Sequence, residues 1–149
     1  MIPWRRFLSL WLPVLLWMAV IFIGSNQQDL PVPESPAADL LIKKSGHALE
    51  YAILGLLLLR AVAGSHGAGM QTGTAFVGRA SRPATVAPAL LTVVIGGLYA
   101  ASDELHQRFV PTRKGNLRDV LIDVSALTAA VLLAWLWQRY RSRFRSPPR

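Results

Sequence analysis

The stretch Phe7–Ile23, FLSLWLPVLLWMAVIFI, runs for 17 residues without a charged side chain, and its reading decides the fold. An α-helix needs roughly 17–25 predominantly apolar residues to cross the hydrocarbon layer of a bilayer. The stretch meets that length and shows no strand-like alternation. Arg5 and Arg6 precede it, as basic residues precede the core of a secretory signal. The core is long for a signal, however, and Phe22-Ile23-Gly24-Ser25 is not a small-x-small cleavage site, so the stretch is expected to remain as a membrane anchor.

Three further stretches repeat the pattern. Gly46–Val62 is interrupted by His47, Glu50 and Arg60; Ala84–Ala101 has no charge; Val120–Trp137 has Asp123 alone. A transmembrane barrel would need many more segments, each alternating in hydrophobicity. The expectation is an all-α integral membrane bundle of four transmembrane helices, at about 7–23, 46–62, 84–107 and 119–137. One membrane domain would cover 1–140, with a basic cytoplasmic tail at 141–149.

Composition agrees. The chain has 149 residues, enough for one domain, with 52% hydrophobic and 16% charged residues, against about 25% charged in a soluble domain. Mean hydropathy is positive. Lys and Arg outnumber Asp and Glu by 16 to 8, but the basic residues cluster beside apolar runs instead of forming the basic face of a soluble fold. Nucleic acid is therefore not the expected partner; membrane lipid is. With no Cys in the chain, disulfides and thiolate metal sites are excluded.

Basic flanks set the expected orientation. Arg5, Arg6, Arg60, Arg79, Arg82 and the five arginines of the carboxyl tail give ten on one side. Lys43, Lys44, Arg108, Arg113, Lys114 and Arg118 give six on the other. Both termini are thus expected in the cytoplasm. The four basic residues of the third connection oppose that bias: either the tail outweighs them, or they form a surface for anionic headgroups. Leu30–Pro36, LPVPESP, reads as an extended outer loop, and Gly64–Arg82, rich in Gly, Ser and Thr, as a cytoplasmic loop.

The polar residues within these spans carry the functional information, because an ionisable group in hydrocarbon normally faces a partner or a wet cavity. Lys44, His47, Glu50 and Tyr51 are spaced to share one face of the second helix. Gly96, Ala100, Asp103, Glu104 and Gln107 do so on the third, where the small residues permit close approach. Val110–Asn116 reads as a turn. Asp119 suits the start of the fourth helix. Asp123, one turn further in, is expected to face inward with Arg113, Lys44 or His47 as partner, above a small-residue stripe of Ala126, Ala130 and Ala134. Each residue also has a purely structural reading: a snorkelling Lys, a belt Tyr, a helix-locking His–Glu pair, two acids on a wet helix end.

At these residues the sequence resembles the VanZ-like family, named for a teicoplanin-resistance protein. The resemblance begins at Phe22-x-x-Ser25-x-Gln27 and continues through Lys44-x-x-His47-x-x-x-Tyr51. Its most specific block is Asp103-Glu104-x-x-Gln107-x-Phe109-x-Pro111-x-Arg113, followed by Gly115 and Asp119. It covers about residues 22 to 130. The chain departs from the family pattern at Thr112, Asp123, Ala126 and Ala130. The resemblance implies a small multi-pass protein of the bacterial cytoplasmic membrane, tied in its namesake to glycopeptide resistance; it carries no molecular activity with it.

Three functions compete. The first is a binding or envelope-protection protein, in which Lys44, His47, Glu50, Tyr51, Asp103, Glu104, Gln107, Arg113, Asp119 and Asp123 hold an anionic or amphiphilic ligand, lipid-linked or glycopeptide, at the outer face. Arg113 would then offer its bidentate fork to a phosphate or carboxylate. The second is an enzyme acting on a lipid-linked cell-wall precursor, with His47 beside Glu50 as general base and Arg113 stabilising negative charge, or with Asp103, Asp119 and Asp123 around Mg²⁺. No zinc-protease, phosphate-loop or serine-elbow motif supports catalysis, so no cofactor and no metal is expected. The third is a small ion-coupled carrier, which intramembrane acids permit and the lack of an inverted repeat disfavours.

Overall fold

The structure, a computed structural model, describes residues 3–26, 36–66, 86–110 and 115–144, and of 36–43, 66 and 142–144 the backbone alone. Four helices account for nearly all of them: α1 Trp4–Asn26, α2 Pro36–His66, α3 Val86–Gln107 and α4 Leu117–Phe144. Each holds a segment long and apolar enough to cross a membrane, namely Trp4–Asn26, Lys44–Ser65, Val86–Gln107 and Leu117–Arg141. Among the described residues the chain is all-helical with four spans, as its apolar runs predict.

Two boundaries differ from expectation by more than four residues. Helix α2 begins at Pro36, not near Gly46. The fixed φ of Pro suits a first helical turn, and the residues after it include good helix formers, Ala37, Ala38, Leu40 and Leu41. At 31 residues α2 is about 46 Å long, so its first turns project beyond a hydrocarbon layer of about 30 Å. Helix α4 continues to Phe144 and takes in the first residues of the basic tail. Of the expected loops, Pro36 and Gly64–His66 belong to α2, while 27–35 and 67–85 lie outside the described residues.

The helices run up, down, up, down. Trp11 Nε1 of α1 donates to Ser65 Oγ of α2 at 3.1 Å, and Trp17 Nε1 donates to the Glu50 carbonyl at 2.9 Å, which fixes those two as antiparallel. Tyr99 of α3 donates to the Met18 carbonyl of α1 at 2.7 Å. Helix α2 packs on all three others, whereas α1 and α4 make no contact among the described residues and α1–α3 is the sparsest pairing.

A leucine locks the centre. Leu127 of α4 is fully buried between Gly96 of α3 and Gly55 of α2. A Cβ at Gly96 would collide with Leu127 Cδ1, and one at Gly55 would stand 3.0 Å from its Cγ and 3.1 Å from its carbonyl oxygen. The small-residue stripe of α4 was expected to be the packing face. Instead Leu127 and Val131 are buried and Ala126, Ala130 and Ala134 only half-buried, because the sockets are glycines on the neighbouring helices.

Large apolar side chains cover the outside, among them Leu15, Leu16, Ile23, Leu49, Leu90, Leu98, Leu121 and Leu133, a distribution suited to acyl chains and not to water. At the end of α4, the Arg139 guanidinium lies 4.6 Å from the Trp135 ring and that of Arg141 5.8 Å from Trp137, the cation–aromatic belt of a membrane boundary. Trp4, Arg5, Arg6 and Arg60 share that end. The functional candidates gather at the other.

Candidate functional site

Asp103, near the carboxyl end of α3 and only 3% exposed, stands at the centre of the polar end. Its Oδ2 accepts three donors from three helices: Ser25 Oγ of α1 at 2.8 Å, Gln107 Nε2 of α3 itself at 3.1 Å and Tyr51 Oη of α2 at 3.4 Å. Gln107 also reaches Ser25 Oγ at 3.4 Å. Hydrogen bonding to the ionised form is what makes a buried carboxylate tolerable. The up-and-down order explains the convergence: it brings the end of α1, the outer half of α2 and the end of α3 to one depth.

A second row joins α2 to α4. Lys44 Nζ meets Asp119 Oδ1 at 2.8 Å, with both side chains about one-third exposed. One turn deeper, His47 Nδ1 faces Asp123 Oδ2 at 4.0 Å, and Asp123 is 3% exposed. The carboxylates of Glu104, Asp103, Asp119 and Glu50 all lie within electrostatic reach of Asp123. Of the partners weighed for Asp123, the structure supplies His47; Lys44 goes to Asp119. Helix α4 is opened by Asn116, whose Oδ1 accepts the Arg118 N–H at 3.1 Å and whose carbonyl accepts the Asp119 N–H at 2.9 Å. Asn116, not Asp119, is the cap.

Glu104 points elsewhere. Its Oε1 accepts the backbone N–H of Asn116, which straps the start of α4 to the end of α3. Gly115 makes this approach feasible, because a Cβ there would stand 2.6 Å from the Glu104 carbonyl oxygen. Glu50 borders α1: a Cβ added at Gly24 would lie 3.9 Å from its Oε1. The four candidates of α2 therefore fan out, with Lys44 and His47 toward α4, Tyr51 toward α3 and Glu50 along α1.

Nine of the ten candidate residues thus lie at one end of the bundle, five of them carboxylates; Arg113 lies outside the described residues, as do Gln27, Pro111 and Thr112. The Mg²⁺ arrangement of Asp103, Asp119 and Asp123 does not form, since among the described residues no three of His, Asp and Glu group to hold a metal ion. Asp119 Oδ1 is engaged by Lys44, and Asp103 is turned toward Ser25. Two residues outside the candidate set join the cluster. Ser25 is the shortest partner of Asp103, and His106 stacks on Phe22 with ring centroids 4.4 Å apart. Up-and-down pairing would have flagged Ser25, a polar residue in the last turn of α1 at the depth of Asp103; His106 is three residues beyond Asp103 on the same helix.

Comparison with known proteins gives the family. The VanZ/LLP1 family model matches residues 10–138, which takes in most of the first and fourth spans, the whole of the second and third, and every residue of the cluster. No curated protein and no solved structure matches the chain. With the matched region running from the first turns of α1 to the last span residues of α4, this four-helix membrane protein belongs to the VanZ/LLP1 family.

Proposed function

We propose that this VanZ-like chain is an envelope protein of the bacterial cytoplasmic membrane that holds an anionic or amphiphilic ligand at the outer face, with both termini in the cytoplasm. Glycopeptide resistance of the teicoplanin kind would follow from such binding. One observation carries the reading: all four helices send polar side chains to the same end of the bundle, where a membrane protein meets the headgroups. The cluster is acidic within, and exposed Arg108 and Arg118 rim it. A ligand with a phosphate or carboxylate for the rim, donors for the acids and an apolar tail for the lipid would match each part.

The test is binding by the purified full chain in phosphatidylcholine nanodiscs, titrated with a polyprenyl phosphate and with an acylated glycopeptide. Saturable binding is expected for at least one, weakened about tenfold when Arg108 and Arg118 are both changed to Ser, since charge-assisted bonds are the strong ones. No saturable binding of either probe would overturn the reading.

The facing of His47 and Asp123 favours a second reading, an enzyme acting on a lipid-linked wall precursor, because an imidazole beside a buried carboxylate is the arrangement of a general base and its orienting group. Conversion of a labelled precursor by the same nanodiscs, lost in His47→Ala, would establish it. Binding without chemical change would leave the first.

A further inference from the structure

Two side-chain atoms among the described residues are buried without a hydrogen-bond partner, Asp103 Oδ1 and His106 Nε2. They lie on the same stretch of α3, and both residues meet α1: Asp103 through Ser25 at 2.8 Å, His106 through its stack on Phe22. The α1–α3 seam is also the sparsest helix pairing of the bundle. A buried acceptor without a partner carries the full desolvation penalty of the group, and Oδ1 is inaccessible to solvent that would relieve it. Asp103 is the sharper case, because its other oxygen already accepts three donors while Oδ1 accepts none.

We infer that the seam between α1 and α3 is a phospholipid site, specific for a headgroup that carries hydroxyls on a phosphodiester, as a glycerol phosphate does. A hydroxyl donates to a carboxylate oxygen and pairs with an imidazole nitrogen in either tautomer, as acceptor from N–H or donor to the bare nitrogen. A headgroup with adjacent hydroxyls therefore satisfies Asp103 Oδ1 and His106 Nε2 together. Exposed Arg108, in the turn directly after α3, is placed to take the phosphodiester. The half-exposed face of Phe22 leaves an apolar flank for the acyl chains. A quaternary ammonium supplies neither donor nor acceptor. This assignment rests on the ligand-binding reading above and gives that ligand a headgroup and a place.

The experiment uses the full chain in phosphatidylcholine nanodiscs doped with phosphatidylglycerol, phosphatidylmethanol or phosphatidylethanolamine, with bound lipids counted by native mass spectrometry. Phosphatidylmethanol has the same phosphodiester charge and no hydroxyl. Phosphatidylglycerol is expected to bind about tenfold tighter than phosphatidylmethanol, the worth of a hydrogen bond to a charged acceptor. His106→Phe, which keeps the stack on Phe22, and Asp103→Asn should each erase that preference, so that phosphatidylglycerol and phosphatidylmethanol bind alike. Should Asp103→Asn fail to fold, His106→Phe carries the test alone. Equal binding of the two anionic lipids would overturn the hydroxyl specificity and leave the anion-binding reading standing. A preference for phosphatidylethanolamine would overturn it in favour of an ammonium. Binding of none above phosphatidylcholine would remove this site, whereas the reading above fails only if its own two probes also go unbound.

Discussion

Ser25, Tyr51 and Gln107 all spend a donor on one oxygen of Asp103, so the network should respond as a unit. Ser25→Ala removes the shortest of the three bonds and should destabilise the bundle by about 1 kcal/mol, the scale of interhelical hydrogen bonds in membranes. In a double-mutant cycle with Asp103→Asn the two losses should fail to add, by most of that amount; additive losses in denaturant unfolding from detergent micelles would show the contact to be idle. The pair of Lys44 and Asp119, about one-third exposed, should behave differently, with Lys44→Ala changing stability by less than about 1 kcal/mol in the same assay. The contrast marks what can be read from a single chain. An acid within an apolar run announces itself by its desolvation cost, so Asp123 is legible in the sequence; Asp103 and Glu104, just past their run, are legible by the helical face they share with Gly96 and Ala100. Ser25 is legible only through the family motif and His106 not at all, because a serine in a last turn or a histidine at a helix end costs little until the neighbouring helix is known. Glu104 is legible as buried but not as a strap, since its partner is a backbone N–H that carries no side-chain signature.

Helix existence follows from run length alone, and all four spans are visible for that reason; the start of α2 at Pro36 is not, because its first turns lie outside the apolar run. The packing face of α4 misleads for a related cause. Its alanines advertise a close approach that belongs to Gly55 and Gly96 of the facing helices, into which Leu127 is wedged. In lipid, where apolar burial drives no association between helices, that fit is van der Waals packing, and it can be challenged from both sides. Gly96→Ala pushes a methyl into a leucine that is already fully buried and should destabilise by about 1–3 kcal/mol, as overpacking does. Adding Leu127→Val, which withdraws the colliding methyl, should recover part of the loss. If thermal unfolding in micelles shows Gly96→Ala to be neutral, or the second substitution only to make matters worse, the wedge is not what holds α3 to α4.

The whole molecule is polarised: a belt of Trp4, Trp135, Trp137 and Tyr140 with Arg5, Arg6, Arg139 and Arg141 at one end, and the acid-rich cluster at the other. With ten basic residues expected on the belt side against six on the cluster side, the positive-inside bias predicts a cytoplasmic belt, and the proposed ligand site would then face outward. Because the chain has no Cys, single cysteines report this directly. Phe109, 78% exposed beyond α3, and Trp4, 68% exposed at the start of α1, mark the two ends. In intact spheroplasts a membrane-impermeant thiol reagent should label Phe109→Cys and spare Trp4→Cys, which should react only after permeabilisation. The inverse pattern would turn the acid cluster toward the cytoplasm. An external glycopeptide or wall precursor could not then reach it, and the envelope-binding reading would fall even with every interhelical contact intact. Arg108 and Arg118 stand at the cluster end, on the side that the charge bias disfavours for basic residues. The proposed site gives those two a reason to be there, because a cluster that receives an anionic headgroup needs cations at its rim more than the topology needs them elsewhere.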